Sequence, residues 1–299
     1  MIARTLSFGS PGKLAVRNRQ LVYDGEGGVH RTFPIEDIGF IILETGLMTV
    51  TTSCLQALAA QNVAVVVCDG THTPSAQLLP FAAHSTAQET IEAQLAATPA
   101  VQGRLWRHVV RAKLCNQAEL LDRLGKGNSA RLRTLADEVK NGDPSNCEAQ
   151  GARVYFQSIA SSQGFVRDKD GHGLNVALNY GYAVLRAAVA RALVGSGLVC
   201  FRGVHHHNRY NPFCLADDVM EPYRPFVDQY VFGDEGGVFN DVDGDLPRSM
   251  KARLLEVLTC DVRIGAVKRP LMLGVSSTTA SLARYYLGET KELALPAFV

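Results

Sequence analysis

Three imidazoles and three carboxylates crowd into one short stretch of this chain. His205, His206 and His207 follow Gly203-Val204, and Asp217, Asp218 and Glu221 follow them ten to sixteen residues later. One nitrogen donor combined with carboxylate oxygens suits Mg²⁺ or Mn²⁺ better than a structural zinc, which takes thiolates or more histidines at tighter spacing. Residues 215–220 read as a short helix with Asp218 and Glu221 three apart on one face, and the histidines end the strand-like apolar run 198–204. Strand end and helix would then converge on one ion. Three consecutive histidines cannot all serve it, because alternation sends His205 and His207 one way and His206 the other. Glu148 is a further carboxylate, yet Ser145 with Glu148 also fits a capping box at a helix start, and for an isolated glutamate capping is the plainer reading.

The elements that must position these groups follow from periodicity. Up to about residue 75 the pattern is strand-like, with short apolar or alternating runs at 5–8, 13–23, 38–43, 48–52 and 63–68 and one helix at 53–61. Beyond a linker at residues 74–85, helical periodicity takes over: 88–96, 102–121, 130–140, 147–162, 175–193 and 248–258 are the clearest segments. The fold class is therefore α+β, a small β-rich unit at residues 1–80 followed by a larger all-α unit at 86–299. The loops at 168–171 and 233–245 are acidic and glycine-rich, but neither closes a calcium-binding frame with a glutamate. Helix 102–121 carries Arg104, Arg107, His108 and Arg111 on one stripe, a solvated face that also suits a phosphate backbone.

At the histidine stretch the chain resembles a known family. Its pattern Gly-x-His-His-x-Asn-x-x-Asn-x-Phe-x-Leu-x-x-Asp-x-Met-Glu-Pro-x-Arg-Pro, residues 203–225, looks like the CRISPR-associated integrase, the larger of the two proteins that insert new spacers, in its type II branch. The stretches at 148–156 and 178–186 support the likeness, which spans almost the whole chain. The resemblance implies an amino-terminal β domain through which two chains dimerise, a linker, and a helical catalytic domain. It implies metal ligands at Glu148, His206 and Glu221, with Asp218 as a supporting or alternate ligand, and the joining of prespacer 3′-hydroxyls to phosphodiesters at the repeat boundary. The implied partners are double-stranded DNA, a second copy of the chain and a small companion protein. With that resemblance, Arg104, Arg107 and Arg111 become candidate DNA contacts. Two rival readings stand beside it: a stand-alone structure-selective nuclease on branched DNA, and a non-catalytic scaffold that positions DNA ends.

Composition bounds the rest. The 299 residues are 46% hydrophobic and 20% charged, as in an ordinary globular protein, and the net charge of +1 confines any DNA-binding surface to a local patch. No signal peptide or membrane span is visible, and seven scattered cysteines without a Cys-x-x-Cys pair read as reduced thiols of a cytoplasmic protein.

Overall fold

The computed structural model describes all residues except 1–3, 71, 81–83, 161–164, 169–170, 234–238, 240–241 and 243. Strands β1 (Arg4–Phe8), β5 (Ile38–Leu43) and β7 (Ala64–Cys68) run parallel, and β8 (Pro74–Leu78) closes the sheet antiparallel to β7. A second sheet, in the order β4 (His30–Pro34), β3 (Gln20–Gly25), β2 (Gly12–Arg17), β6 (Met48–Val50), lies beside helix α1 (Thr52–Ala60). The apolar run 13–23 is thus a hairpin rather than one strand. Asn18 and Arg19 both adopt positive φ, the two-residue loop geometry that matches strand twist, but Arg is not a usual residue there and hid the turn. Likewise β8 occupies the start of the expected linker, and residues 81–83 of that linker lie outside the described residues.

Every residue of β5 is buried, because both faces of its sheet are covered. Ile38, Ile41 and Leu43 pack with Leu14, Leu21 and Leu58, whereas Phe40, Ile42, Ala64 and Val66 pack on the helical core. Hydrogen bonds cross the same boundary, from Gln77 Nε2 to the Ala187 carbonyl at 3.0 Å and from Arg191 Nε to that of Asn62 at 2.5 Å.

The helical part consists of α2 (Ala87–Leu95), α3 (Pro99–Arg123), α4 (Ser129–Glu138), α5 (Cys147–Ile159), α6 (Leu174–Gly195), α7 (Cys214–Met220), α8 (Arg224–Phe232), α9 (Arg248–Leu255) and α10 (Leu271–Tyr286). It is not all α: β9 (Asp261–Ile264), β10 (Val267–Pro270) and β11 (Pro296–Ala297) form a small antiparallel sheet. These strands are too short for their alternation to stand out in the sequence. Helix α3 starts earlier than its periodicity predicts, since Thr98 caps the Val101 amide and Pro99 is pre-set for the first turn. Its apolar stripe, including Leu105, Trp106, Val109, Leu114 and Leu121, runs through the core. The glycine-rich loop at 233–245 lies largely outside the described residues, as do Lys169 and Asp170 of the other acidic loop.

Inside α8, Asp228 is fully enclosed and accepts hydrogen bonds from the Tyr155 hydroxyl at 2.8 Å and from that of Tyr182. Burial pushes its carboxyl up to about 6, from an ordinary 3.8, against the opposing pull of the two hydroxyls. The folded protein therefore holds a proton that the unfolded chain releases, and stability falls as pH rises from about 4 to about 6. Between about pH 5 and about pH 8 the wild type is expected to lose on the order of 1.4 kcal/mol relative to Asp228→Asn, measured by urea denaturation. Identical pH dependence in the two proteins would contradict this.

Candidate metal centre

Glu148 sits in the first turn of α5, but not as a cap. Asp143 does that work instead, its two carboxylate oxygens accepting the Cys147 and Glu148 amides at 2.9 Å each. The capping-box reading with Ser145 does not hold, and the Glu148 side chain is free to reach Lys113 of α3. A close helix crossing brings them together. A Cβ on Gly151 would lie 2.1 Å from Leu114 Cδ2, so with Leu114 in its present rotamer the glycine lets α5 approach α3 this far.

Lys113 Nζ also lies 2.5 Å from Glu221 Oε2, so one buried ammonium joins the two carboxylates. Burial alone would lower its pKa, but Glu221 and then Glu148 overcome that, and the ammonium is held above its ordinary value. Glu221 is 8% exposed. Burial raises its carboxyl, but Arg224, whose Nε donates to Oε1 at 2.8 Å, and Lys113 together bring it down to about 2. Helix α7 ends at Met220 as Pro222 demands, and Glu221 to Tyr223 form a single 3-10 turn. Asn116, also on α3, holds that turn by donating to the Pro222 carbonyl at 2.8 Å.

The run 198–204 is not a strand. Gln94 of α2, almost fully buried, donates to the Val199 and Arg202 carbonyls at 3.1 Å and accepts the Val199 amide at 3.0 Å, which shapes the segment as a loop. Alternation consequently does not decide where the histidines point. Asp218, fully buried on α7, organises them. Its Oδ2 accepts the Val204 and His205 amides at 2.6 and 2.8 Å, and its Oδ1 meets His206 Nδ1 at 2.5 Å. The loop closes tightly, for a Cβ on Gly203 would lie 2.3 Å from the His206 carbonyl oxygen. His205 stacks flat on Trp106 at 4.2 Å, while His206 meets the same indole edge-on. The contact with Asp218 raises the pKa of His206 against the effect of burial, and Glu221 adds to the rise.

Glu148 and Glu221 thus meet at Lys113, and His206 lies close enough to Glu221 for their charges to interact, with Asp218 behind the imidazole and its oxygens taken up by the loop. Among the described residues no three His, Cys, Asp or Glu side chains stand in ready coordinating geometry, since the Lys113 ammonium lies between the two carboxylates. The donor set nonetheless fits a divalent ion. Two carboxylates already point at one cationic position, Glu221 Oε2 is buried without an aligned hydrogen bond, and Asp218 secures Nδ1 of His206 so that Nε2 is the nitrogen left for coordination. Sequence reasoning missed Lys113, Asn116 and Gln94. The available signal for the first two was polar residues at positions that the apolar stripe of α3 assigns to the core.

Arg104, Arg107 and Arg111 lie on the exposed side of α3. Arg107 Nε donates to the Val139 carbonyl at 3.1 Å and Arg111 pairs with Asp137 at 3.0 Å, both toward the end of α4. Arg104 lines a cleft of about 750 Å³ with His108, Tyr285, Tyr286 and Lys291. All seven cysteines are free; Cys147 and Cys214 are buried, and burial raises the Cys147 thiol, as unreactive thiols require. No helix among the described residues is long and apolar enough to cross a membrane.

An Asp218→Asn change would set an amide NH₂ against backbone N–H groups. It is expected to lower unfolding free energy by about 2 to 3 kcal/mol, the scale of charged hydrogen bonds lost in a buried site. Stability within about 0.5 kcal/mol of wild type would show that the loop is held by other contacts.

The pattern of the family described as CRISPR associated protein Cas1 matches residues 8–233. A relative, the CRISPR-associated endonuclease Cas1 of Neisseria meningitidis serogroup C (strain 8013), is 42% identical over 229 residues, 76% of this chain and 74% of its own length. In fold the chain is similar to a casposase bound to integration product, with a TM-score of 0.82 at 20% identity over 98% of this chain and 92% of that one. It is similar also to a chain of a Cas6-RT-Cas1–Cas2 complex, with a TM-score of 0.73 at 16% identity over 98% of this chain and 36% of that one. With the family pattern over most of its length and the type II motif around its candidate ligands, the chain belongs to the Cas1 family of CRISPR-associated proteins.

Proposed function

We infer that this chain is a metal-dependent DNA integrase and endonuclease of CRISPR adaptation, joining prespacer 3′-hydroxyl ends to phosphodiesters at the repeat boundary. The observation that carries this reading is the convergence of Glu148 and Glu221 on one cationic position beside an imidazole locked by Asp218. The endonuclease name of the Neisseria relative and the integration product bound to the casposase support it. The solved complex with Cas2 supports a small companion protein as partner, and dimerisation through the β-rich unit belongs to the same proposal.

Glu148, Glu221 and His206 Nε2 would hold Mg²⁺ or Mn²⁺. When bound, such an ion supplies Lewis-acid neutralisation of charge on the phosphoryl oxygens. Asp218 keeps the proton on Nδ1 and thereby leaves the Nε2 lone pair outward. Arg224 fixes Oε1 of Glu221, so that Oε2 alone is presented. Lys113 balances both carboxylates in the free protein, where they would otherwise repel across a part-buried gap. In the reaction a 3′-hydroxyl oxygen bonds to phosphorus as a strand oxygen departs. Phosphodiester number is conserved and no ATP is required, while water in place of the hydroxyl yields a nick. Arg104, Arg107 and Arg111 would contact the DNA backbone along α3.

Glu148→Ala, His206→Ala and Glu221→Gln are each expected to reduce strand transfer into a supercoiled repeat-bearing plasmid by about 100-fold or more. Glutamine is preferred at position 221, because its amide oxygen keeps the side-chain volume and an acceptor for the buried Lys113 and Arg224 donors, which alanine would remove. Wild-type rates in a folded Glu148→Ala protein would remove that residue from the site. Equal activity on branched DNA without any companion, and none on the repeat plasmid with it, would favour the stand-alone nuclease.

A further inference from the structure

A second concave surface adjoins the metal centre, with Met220 and Arg224 in its wall. It has a volume of about 460 Å³ and lies where α6 and α7 meet the Thr73-Pro74 end of the sheet. Three arginines line it, Arg167, Arg186 and Arg224, against one carboxylate, Asp217.

Their donors are unevenly used. Arg167 donates to the Asn175 and Asn179 side-chain oxygens at 2.9 and 2.7 Å and to the Asp168 carbonyl at 2.7 Å, which sets its plane. Arg224 commits Nε to Glu221, while its terminal nitrogens make no hydrogen bond among the described residues. Arg186 makes no hydrogen bond among the described residues; its guanidinium carbon lies 5.8 Å from the Phe213 ring centre, its nearest anion, Asp217 Oδ1, is 3.8 Å away, and Oδ2 of that carboxylate already accepts the Asn211 amide at 2.6 Å. Between Arg224 and Arg167 stands Tyr182, with the two guanidinium carbons 4.6 and 5.5 Å from its ring centre. Burial, with a smaller contribution from the Arg224 charge, holds Arg167 below its ordinary pKa. Planar forks with free donors, braced on an aromatic face, match the tetrahedral oxygens of a phosphodiester.

We propose that the cavity lined by Arg167, Arg186 and Arg224 is a phosphodiester-binding subsite, which grips the DNA strand next to the bond presented to the metal centre. The proposal rests on the DNA-processing reading above. Arg224 serves both places, steering Glu221 with Nε and facing the strand with its terminal nitrogens. Arg186 is the cleanest probe, because it is part-exposed and its contacts within the fold are long ones, to Asp217 at 3.8 Å and to the Phe213 ring centre at 5.8 Å.

The test is equilibrium binding of the full-length protein to a prespacer-like duplex, across about 50 to about 200 mM salt, for wild type, Arg186→Gln and Arg186→Lys. Losing one phosphate contact lowers the slope of log affinity against log salt by about 0.9, so the affinity lost across that range shrinks by about 3.5-fold. Arg186→Gln is expected to show that change with an unaltered Tm, and Arg186→Lys to restore the slope but not the full affinity. A second arm measures the Tm rise of the same proteins in inorganic phosphate. A wild-type slope in Arg186→Gln overturns the proposal, and a wild-type slope with a lost phosphate effect reassigns the cavity to a free anion. If wild type itself failed to bind DNA, the DNA-processing reading would fail instead.

Discussion

One buried ammonium governs how the centre can exist in the folded chain. Glu148 enters part-exposed from α5 and Glu221 buried from the turn after α7, and two carboxylates facing one another repel. Lys113, reaching from α3, offsets that repulsion, and Arg224 supports Glu221 from the other side. The fold can therefore assemble its acidic pair around an ammonium alone. The same arrangement sets a condition on the proposed binding, for an ion taken up between the carboxylates would have to displace the ammonium. A lysine is suited to that exchange, since its flexible stem can carry the charge aside without disturbing α3.

The imidazole depends on a different constraint. Its loop has no regular backbone pairing, and its amides are instead gathered by the Asp218 carboxylate and its carbonyls by Gln94. These are buried side chains standing in for a sheet edge. They fix His206 with its Nδ1 on Asp218 and its charge within reach of Glu221, while His205 is held flat on Trp106. Helix α3 underlies both halves of the centre, with Trp106 beneath the histidines, Lys113 between the carboxylates and Asn116 behind the proline turn.

Much of this was readable from the residues, and the failures have physical causes. Helix α7, the stop at Pro222 and the long amphipathic helices follow from period and proline chemistry, and the parallel strands follow from compact apolar runs. The run 198–204 looked like a strand because its apolar residues are buried, but what orders it is side chains more than one hundred positions away in the case of Gln94. Glu148 looked like a cap because Ser145 stands at the right spacing; Asp143, two residues earlier, reaches the same amides through a left-handed turn at Asp143 and Asn146. Lys113 could not be assigned to the centre by local pattern at all. A lysine within an apolar stripe signals a buried charge, but its partners lie 35 and 108 residues further on.

The central claim is that Glu148, His206 and Glu221 share one divalent ion, and pulsed electron paramagnetic resonance of bound Mn²⁺ addresses it directly. If they do, the wild-type protein binds one Mn²⁺ per chain and its spectrum carries the coupling of a single imidazole nitrogen. That coupling should persist in His205→Ala and vanish in His206→Ala. A nitrogen coupling that survives in His206→Ala, or bound Mn²⁺ with no nitrogen coupling in the wild type, would contradict the assignment.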